Sequence, residues 1–333
     1  MNSKQPEFET RDSRFLLELR NVTKDFAIRR GLLARTVAHV NAVDDASLQI
    51  AEGETLGLVG ESGCGKTTVG RMILQLEKPT SGEITLQGRS IADFGPSETK
   101  NFRRRVQMIF QDPYSSLNPR MQAGAIVGEP FFVHGDRDKL EIKNEVADLF
   151  ARVGLQRDQM SRYPHEFSGG QRQRLSIARA LALKPSLIVA DEPVSALDVS
   201  IQAQVVNLLR DLQEQLGLSY LFISHDLSVV GHASHRIAVM YLGKIIEVST
   251  RQTLLTSPLH PYTEMLIGSI PLPSPKKKRK RRKMVVGEIP SPINMPKGCR
   301  FHPRCPIAVS RCQSEVPRLR EITSKHVVAC HLK

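Results

Sequence analysis

The feature that most constrains this chain is the run Gly60-Glu61-Ser62-Gly63-Cys64-Gly65-Lys66-Thr67, which follows directly on the short apolar stretch Thr55-Leu56-Gly57-Leu58-Val59. Its glycines let the backbone turn its N–H groups inward, and a helix starting next presents its positive end to the same point. That is the spacing of a phosphate-binding P-loop. In such a loop Lys66 contacts the β- and γ-phosphates and the Thr67 hydroxyl holds Mg²⁺; Thr68 is grouped with the same site. Cys64 sits inside the loop, where a small spacer residue is its simplest role.

From about Leu16 to Thr250, strand-like apolar runs alternate with longer amphipathic stretches, the pattern of a sheet covered by helices. One such run, Leu187-Ile188-Val189-Ala190, ends in Asp191-Glu192. Beside a P-loop, that pair suits a hydrolytic site, with Asp191 reaching Mg²⁺ and Glu192 facing the attacking water as general base. A third stretch, Phe167-Ser168-Gly169-Gly170-Gln171, opens a further helix. In isolation Ser-Gly-Gly is an ordinary helix N-cap. Its glycine backbone would also make a second anion cradle.

With this third motif the sequence resembles the ABC transporter ATPases, whose signature usually reads Leu-Ser-Gly-Gly-Gln; Phe167 departs from it. The resemblance implies a P-loop NTPase of ABC type, an α/β fold with a RecA-like core, an antiparallel β subdomain and a helical subdomain. It implies a head-to-tail dimer in which Ser168 to Gln171 close over ATP held by the partner. It also implies roles for single residues. Gln111 senses Mg²⁺ and the attacking water, Asp198 crosses the dimer interface, and His225 contacts the γ-phosphate. Phe26 either stacks on adenine or is a core phenylalanine.

The resemblance narrows downstream. Gln111-Asp112-Pro113-Tyr114-Ser115-Ser116-Leu117-Asn118-Pro119, Tyr163-Pro164-His165-Glu166-Phe167 and His260-Pro261-Tyr262 are similar to stretches of the ATP-binding subunits of dipeptide and oligopeptide permeases, and among them to the F-type subunit. Peptide import is then the implied function, with glutathione, haem or metal complexes as alternative cargoes. The implied partners are a second ATPase subunit, paralogous by the family pattern, two membrane permease subunits and, indirectly, an extracytoplasmic binding protein. ABC ATPases of DNA repair insert a long coiled coil between the P-loop and the signature, and those of translation usually carry two cassettes. Here only Val69 to Glu166 separates the motifs, and one P-loop is present.

The expected organisation is an ATPase domain over residues 1–255, a Pro-rich and basic linker over 256–295, and a cysteine-bearing extension over 296–333. Helix formers concentrate after Pro113, placing the helical subdomain at about residues 113–180. No apolar run is long enough to span a bilayer, and Met1 to Arg20 lacks the apolar centre of a signal peptide, so the expected location is the cytoplasmic face of the membrane. The formal charge of +13 invites a nucleic-acid reading, yet eight of those charges form the single run Lys276 to Lys283. That run has no interleaved aromatics for base stacking, and reads as a solvated linker or a contact for anionic headgroups.

Four of the five cysteines, Cys299, Cys305, Cys312 and Cys330, crowd the last tenth of the chain. A segment this short needs a staple to fold, and clustered thiols in a cytosolic protein suggest metal before disulfides. Four thiolates suit a [4Fe–4S] cluster or zinc. The Cys-x-x-Cys pairs common at zinc sites are absent, Pro306 follows Cys305 as in ferredoxin-type ligands, and the family resemblance implies iron–sulfur. Zinc and free thiols remain the alternatives.

Overall fold

A computed structural model describes residues 15–30, 35–135, 138–270, 288, 290–291 and 293–333, without the side chains of residues 29–38. The basic run Lys276 to Lys283 lies outside the described residues. Along the chain the strands are β1 (Leu17–Arg30), β2 (Arg35–Ile50), β3 (Thr55–Val59), β4 (Ser81–Leu86), β5 (Arg89–Ser90), β6 (Val106–Ile109), β7 (Leu187–Asp191), β8 (Ser219–Ser224), β9 (Arg236–Tyr241), β10 (Lys244–Thr250), β11 (Arg320–Thr323) and β12 (His326–Val328). The helices are α1 (Lys66–Ile73), α2 (Pro96–Arg105), α3 (Pro113–Ser116), α4 (Ala123–His134), α5 (Lys139–Arg152), α6 (Gly169–Leu181), α7 (Val199–Leu216), α8 (Leu227–Ala233), α9 (Arg251–Thr256), α10 (Pro261–Ser269) and α11 (Ser310–Ser314).

Two sheets result. The first, in the order β2-β1-β4-β5, is antiparallel; the second runs β11-β12-β10-β9-β3-β8-β7-β6. Within the second, β6, β7, β8, β3 and β9 are parallel. A parallel sheet is covered on both faces, so its strands are apolar throughout rather than alternating with polar residues. The alternation survives as a choice of partner. Ile188, Ala190, Tyr220, Phe222, Ile237 and Val239 face the core shared with the helical subdomain. Leu187, Val189, Leu221, Ile223, Ala238 and Met240 face the core shared with the antiparallel sheet. This arrangement leaves the C-terminal ends of β3, β7 and β8 on one edge, the usual ligand edge of such sheets.

Helices α4 and α5, together with α3 and the start of α6, pack around Ile126, Val127, Phe131, Ile142, Val146 and Phe150. Phe167, the departure from the family signature, is 3% exposed in this same core. It replaces one buried apolar residue by another and leaves Ser168 at the helix start.

The region after Thr250 holds more regular structure than its prolines suggest. Pro261 stands in the first turn of α10, where a missing N–H does no harm and a fixed φ favours helix, and His260 caps that helix by accepting the Tyr262 N–H at 3.1 Å. The cysteine-bearing segment adds β12 to β10, pairing Val328 with Glu247, and β11 pairs with β12 in turn. The tail is thereby continuous with the large sheet.

Candidate nucleotide site

A cavity of about 670 Å³ opens at the C-terminal ends of β3, β7 and β8. Glu61, Ser62, Gly63, Gly65, Lys66, Thr67 and Thr68 line it, with Gln111, Glu192 and His225 opposite, and Val40 to Ala42, Leu242, Gly243, Leu266 and Met295 at its margin. Two glycines of the loop are obligatory. A Cβ on Gly60 would stand 2.2 Å from the Met240 carbonyl oxygen. Gly65 adopts φ +108°, and a Cβ there would lie 2.1 Å from the Ala42 carbonyl oxygen. Gly65 is also the N-cap of α1, and no side chain caps that helix. Its positive end therefore faces the cavity without a competing side-chain acceptor.

Lys66 is 5% exposed, and its Nζ donates to the carbonyls of Gly60 at 2.8 Å and Glu61 at 3.0 Å. Cys64 is buried beside it, with Sγ 3.8 Å from Lys66 Nζ. Burial pushes the Cys64 thiol up, as suits a packed spacer rather than a nucleophile.

Asp191 ends β7 and accepts a hydrogen bond from Thr67 Oγ1 at 3.1 Å. Burial raises its pKa, and the Thr67 hydroxyl and nearby Lys66 and Arg71 oppose that rise. A desolvated carboxylate beside a hydroxyl is a hard-oxygen pair suited to Mg²⁺. The next residue, Glu192, turns into left-handed backbone at φ 46°, a conformation uncommon for non-glycine residues. Its two carboxylate oxygens are held separately. Gln111 Nε2 donates to Oε2 at 2.9 Å, and His225 Nδ1 lies 3.0 Å from Oε1. Three residues from three strand ends thus converge, 81 and 33 positions apart in sequence.

The signature residues stand elsewhere. Ser168 caps α6 by accepting the Gln171 N–H at 3.3 Å, while Gln171 Oε1 accepts the Ser168 N–H at 3.0 Å. Gly169 and Gly170 pack closely against Leu197 and Ile201, so a Cβ on Gly170 would come within 2.7 Å of Ile201. Asp198 stands at the N-cap position of the following helix, α7, without a side-chain capping bond, and Val199 beside it is 81% exposed. None of Ser168 to Gln171, nor Asp198, lines the cavity that holds Lys66. Phe26 does not line it either. It pairs with Val40, which does, and its own ring lies under the Lys24 ammonium at 4.9 Å.

Several contacts had no signal in the motifs. The Tyr262 hydroxyl accepts the Glu61 N–H at 2.9 Å, and Arg304 grips the Glu61 carboxylate with both terminal nitrogens at 2.8 and 3.0 Å. Glu247, fully buried, accepts from the Leu259 and His260 N–H groups and from His326 Nε2 at 2.7 to 2.9 Å. Arg300 pairs with Asp44, which also binds Lys244. These contacts tie α10 and the tail to the cassette.

The four tail cysteines are free thiols in one neighbourhood. Burial above all pushes Cys299 up to about 11, with the charges of Cys312, Cys305 and Cys330 adding to the rise, and burial likewise raises Cys305. Yet among the described residues no group of three or more His, Cys, Asp or Glu stands ready to hold a metal ion. Cys299, Cys305, Cys312 and Cys330, expected from the spacing as a [4Fe–4S] or zinc ligand set in a cysteine-ligated extension, are not gathered into such a set as placed. The physical premise was that so short a segment needs a staple. That need is met by docking, through β12 on β10, Glu247 with His326, and the Arg300 and Arg304 ion pairs.

Comparison with known proteins agrees with this geometry. The ABC transporter family matches residues 43–195, and the C-terminal region of oligopeptide/dipeptide transporters matches residues 246–312. The oligopeptide transport ATP-binding protein AppF of Bacillus subtilis is 54% identical over 319 residues, covering 95% of this chain and 97% of the relative. The chain belongs to the ABC transporter ATPases of the oligopeptide/dipeptide transport family. It is an ABC-type ATPase. The dipeptide transport ATP-binding protein DppF of Haemophilus influenzae is 47% identical and covers 97% of the chain and 98% of the relative. Among solved structures, the ATP-binding cassette MJ0796, in a dimeric post-hydrolysis state bound to ADP and Pi, matches with a TM-score of 0.62 at 30% identity, over 71% of this chain and 98% of that one. No helix among the described residues is long and apolar enough to cross a membrane.

Proposed function

We propose that this ATPase drives the uptake of dipeptides or oligopeptides, from the cytoplasmic face of the membrane, through separate permease subunits. The observation that carries the catalytic part is Glu192, clamped between Gln111 and His225 at the mouth of the P-loop cavity. The peptide cargo is supported by the relatives named for oligopeptide and dipeptide transport and by the matching C-terminal region.

In this reading the phosphates enter the turn Gly60 to Thr67, against the N-terminus of α1. Lys66 leaves the Gly60 and Glu61 carbonyls to meet the β- and γ-phosphate oxygens. Thr67 and Asp191, with Gln111, would hold Mg²⁺, which would offset the negative charge of the phosphates. Glu192 takes a proton from the water that attacks the γ-phosphorus, and the bond to the bridging oxygen of ADP breaks as the new P–O bond forms. His225 and Gln111 hold the carboxylate, so its proton acceptor is oriented before ATP arrives. The adenine lies along β2 at Val40 to Ala42, with Phe26 on the neighbouring strand.

Ser168, Gly169, Gly170 and Gln171 then serve a nucleotide held by another ATPase subunit, a paralogue by the family pattern, and Asp198 meets that subunit's face. The high exposure of Val199 beside Asp198 supports this. An extracytoplasmic binding protein delivers the cargo. Glu192→Gln keeps the shape and the Gln111 contact while removing the base. ATP affinity is expected to stay within about twofold and hydrolysis by the assembled transporter to fall on the order of 100-fold or more. Normal turnover would remove Glu192 from the mechanism.

For the tail we propose a soft-metal site on Cys299, Cys305, Cys312 and Cys330, iron–sulfur before zinc. It is supported by the crowding of four of the five cysteines into the last tenth of the chain, with the Cys299 N–H donating to the Cys312 carbonyl at 2.8 Å. Anaerobic purification with assays for iron, acid-labile sulfide and zinc separates the two metals from free thiols.

A further inference from the structure

Glu61 puts a carboxyl group into a loop read as a phosphate cradle. The residue lines the cavity proposed to receive a polyanion, and like charges a few ångströms apart repel strongly where water is partly excluded. Its charge is met from 243 positions away. Arg304 approaches fork to fork, Nη1 on Oε2 at 2.8 Å and Nη2 on Oε1 at 3.0 Å, with side-chain exposures of 8% and 22%. Such bidentate pairs fix orientation as well as charge.

The guanidinium is itself held in place. It lies 5.9 Å from the ring centres of both Tyr241 and Phe301, and Nη1 reaches the Tyr241 hydroxyl at 3.4 Å. Phe301, 1% exposed, meets Tyr241 and Tyr262 edge-on at 5.3 and 5.5 Å. Tyr262 in turn takes the Glu61 N–H, and the Glu61 carbonyl takes Lys66 Nζ. Every polar group of Glu61 is therefore engaged, and one of its partners is the lysine proposed to bind the phosphates.

We propose that Arg304 is a positioning residue for the ATPase reaction. Carried on the tail, it neutralises Glu61 and fixes the first turn of the P-loop, so that full ATP affinity requires the docked tail. The proposal rests on the reading of this cavity as the nucleotide site. Arg304 touches Glu61, not the reacting atoms.

Titration of the full-length chain with ATP tests it. Arg304→Ala is expected to weaken ATP binding about tenfold, because it leaves an unpaired carboxylate facing the phosphates, and the loss should grow as salt is lowered. Arg304→Lys keeps the charge without the fork and should recover part of the affinity. The decisive variant is the double substitution E61Q/R304A, expected to bind ATP several-fold more tightly than Arg304→Ala because no unpaired charge remains, while staying short of the original because the fork that fixes the turn is gone. A staple role alone would leave the double variant as weak as Arg304→Ala, and that result would overturn the proposal. Unchanged affinity in Arg304→Ala would overturn it too. Should Arg304→Ala not fold, Arg304→Gln against E61Q/R304Q supplies the same comparison. Lys66→Ala run alongside keeps the two readings apart: intact ATP binding in that variant would instead sink the assignment of the cavity.

Discussion

The N-termini of α1 and α6 offer the same physical device, a turn of helix whose positive end attracts an anion, in opposite states. At α1 the cap is Gly65 in left-handed backbone, no side chain caps the helix start, and the loop lines a cavity of about 670 Å³. At α6 the cap is Ser168, closed on Gln171 by a reciprocal pair of hydrogen bonds and apart from that cavity. An uncapped helix start gains from a bound anion what a capped one already has from its own side chains. In the function proposed above, the first is a binding site within the chain and the second a site completed when another subunit brings its nucleotide. On that proposal one chain carries two cradles and gathers its acidic machinery at only one of them.

The largest expected effect breaks the α1 side. Gly65→Ala forces a side chain into φ +108° and against the Ala42 carbonyl. ATP affinity of the full chain should fall on the order of 100-fold, since misplacing the cradle by an ångström suffices. An affinity within about threefold of the original would mean that the loop can rearrange and that α1 is not preorganised.

Acid sharpens the same contrast. Burial pushes His260 down to about 3 from an ordinary 6.5, in keeping with its Nδ1 accepting the Tyr262 N–H. The folded value lies below the unfolded one, so the unfolded chain binds more protons. The stability tied to neutral His260 is complete above about pH 6.5 and drains away as pH falls toward 3, by roughly 1.4 kcal/mol for each pH unit across that window. Because α10 carries Tyr262 to the P-loop, acid should loosen the α1 cradle before the α6 cap. Thermal melts between pH 7 and pH 4 measure the slope. His260→Asn, which can still cap a helix but does not titrate, should flatten it; an unchanged slope would assign the acid sensitivity to other groups.

Much of this was legible in the sequence, for reasons that differ from residue to residue. Gly60, Gly65, Lys66 and Thr67 act through local backbone geometry, which a spacing of eight residues already encodes. Asp191 and Glu192 follow a strand whose apolar run is long enough to be recognised. Gln111 and His225 were placed by their order along the family pattern, and the structure brings both to Glu192. Phe26 was harder, since alternation along β1 does not reveal which face of a bulged hairpin meets the cavity. Tyr262 was visible only within His260-Pro261-Tyr262, with no sign of its contact to Glu61, and Glu247 and Arg304 left no trace at all. Each acts through a contact between distant segments, and neither periodicity nor local spacing records such a partner. Pro261 suits the first turn of a helix and stands there in α10, but nothing local shows that this helix reaches the P-loop.

The smallest expected effect tests the division between the two cradles most directly. Ser168→Ala removes half of the α6 capping box, at roughly 1 kcal/mol in stability, and it touches nothing in the α1 cavity. Measured by titration on the isolated full-length chain, ATP affinity should remain within about twofold of the original, even as hydrolysis by the assembled transporter declines. A loss of affinity comparable to that of Gly65→Ala would contradict the division, because it would place Ser168 at the nucleotide bound by its own chain.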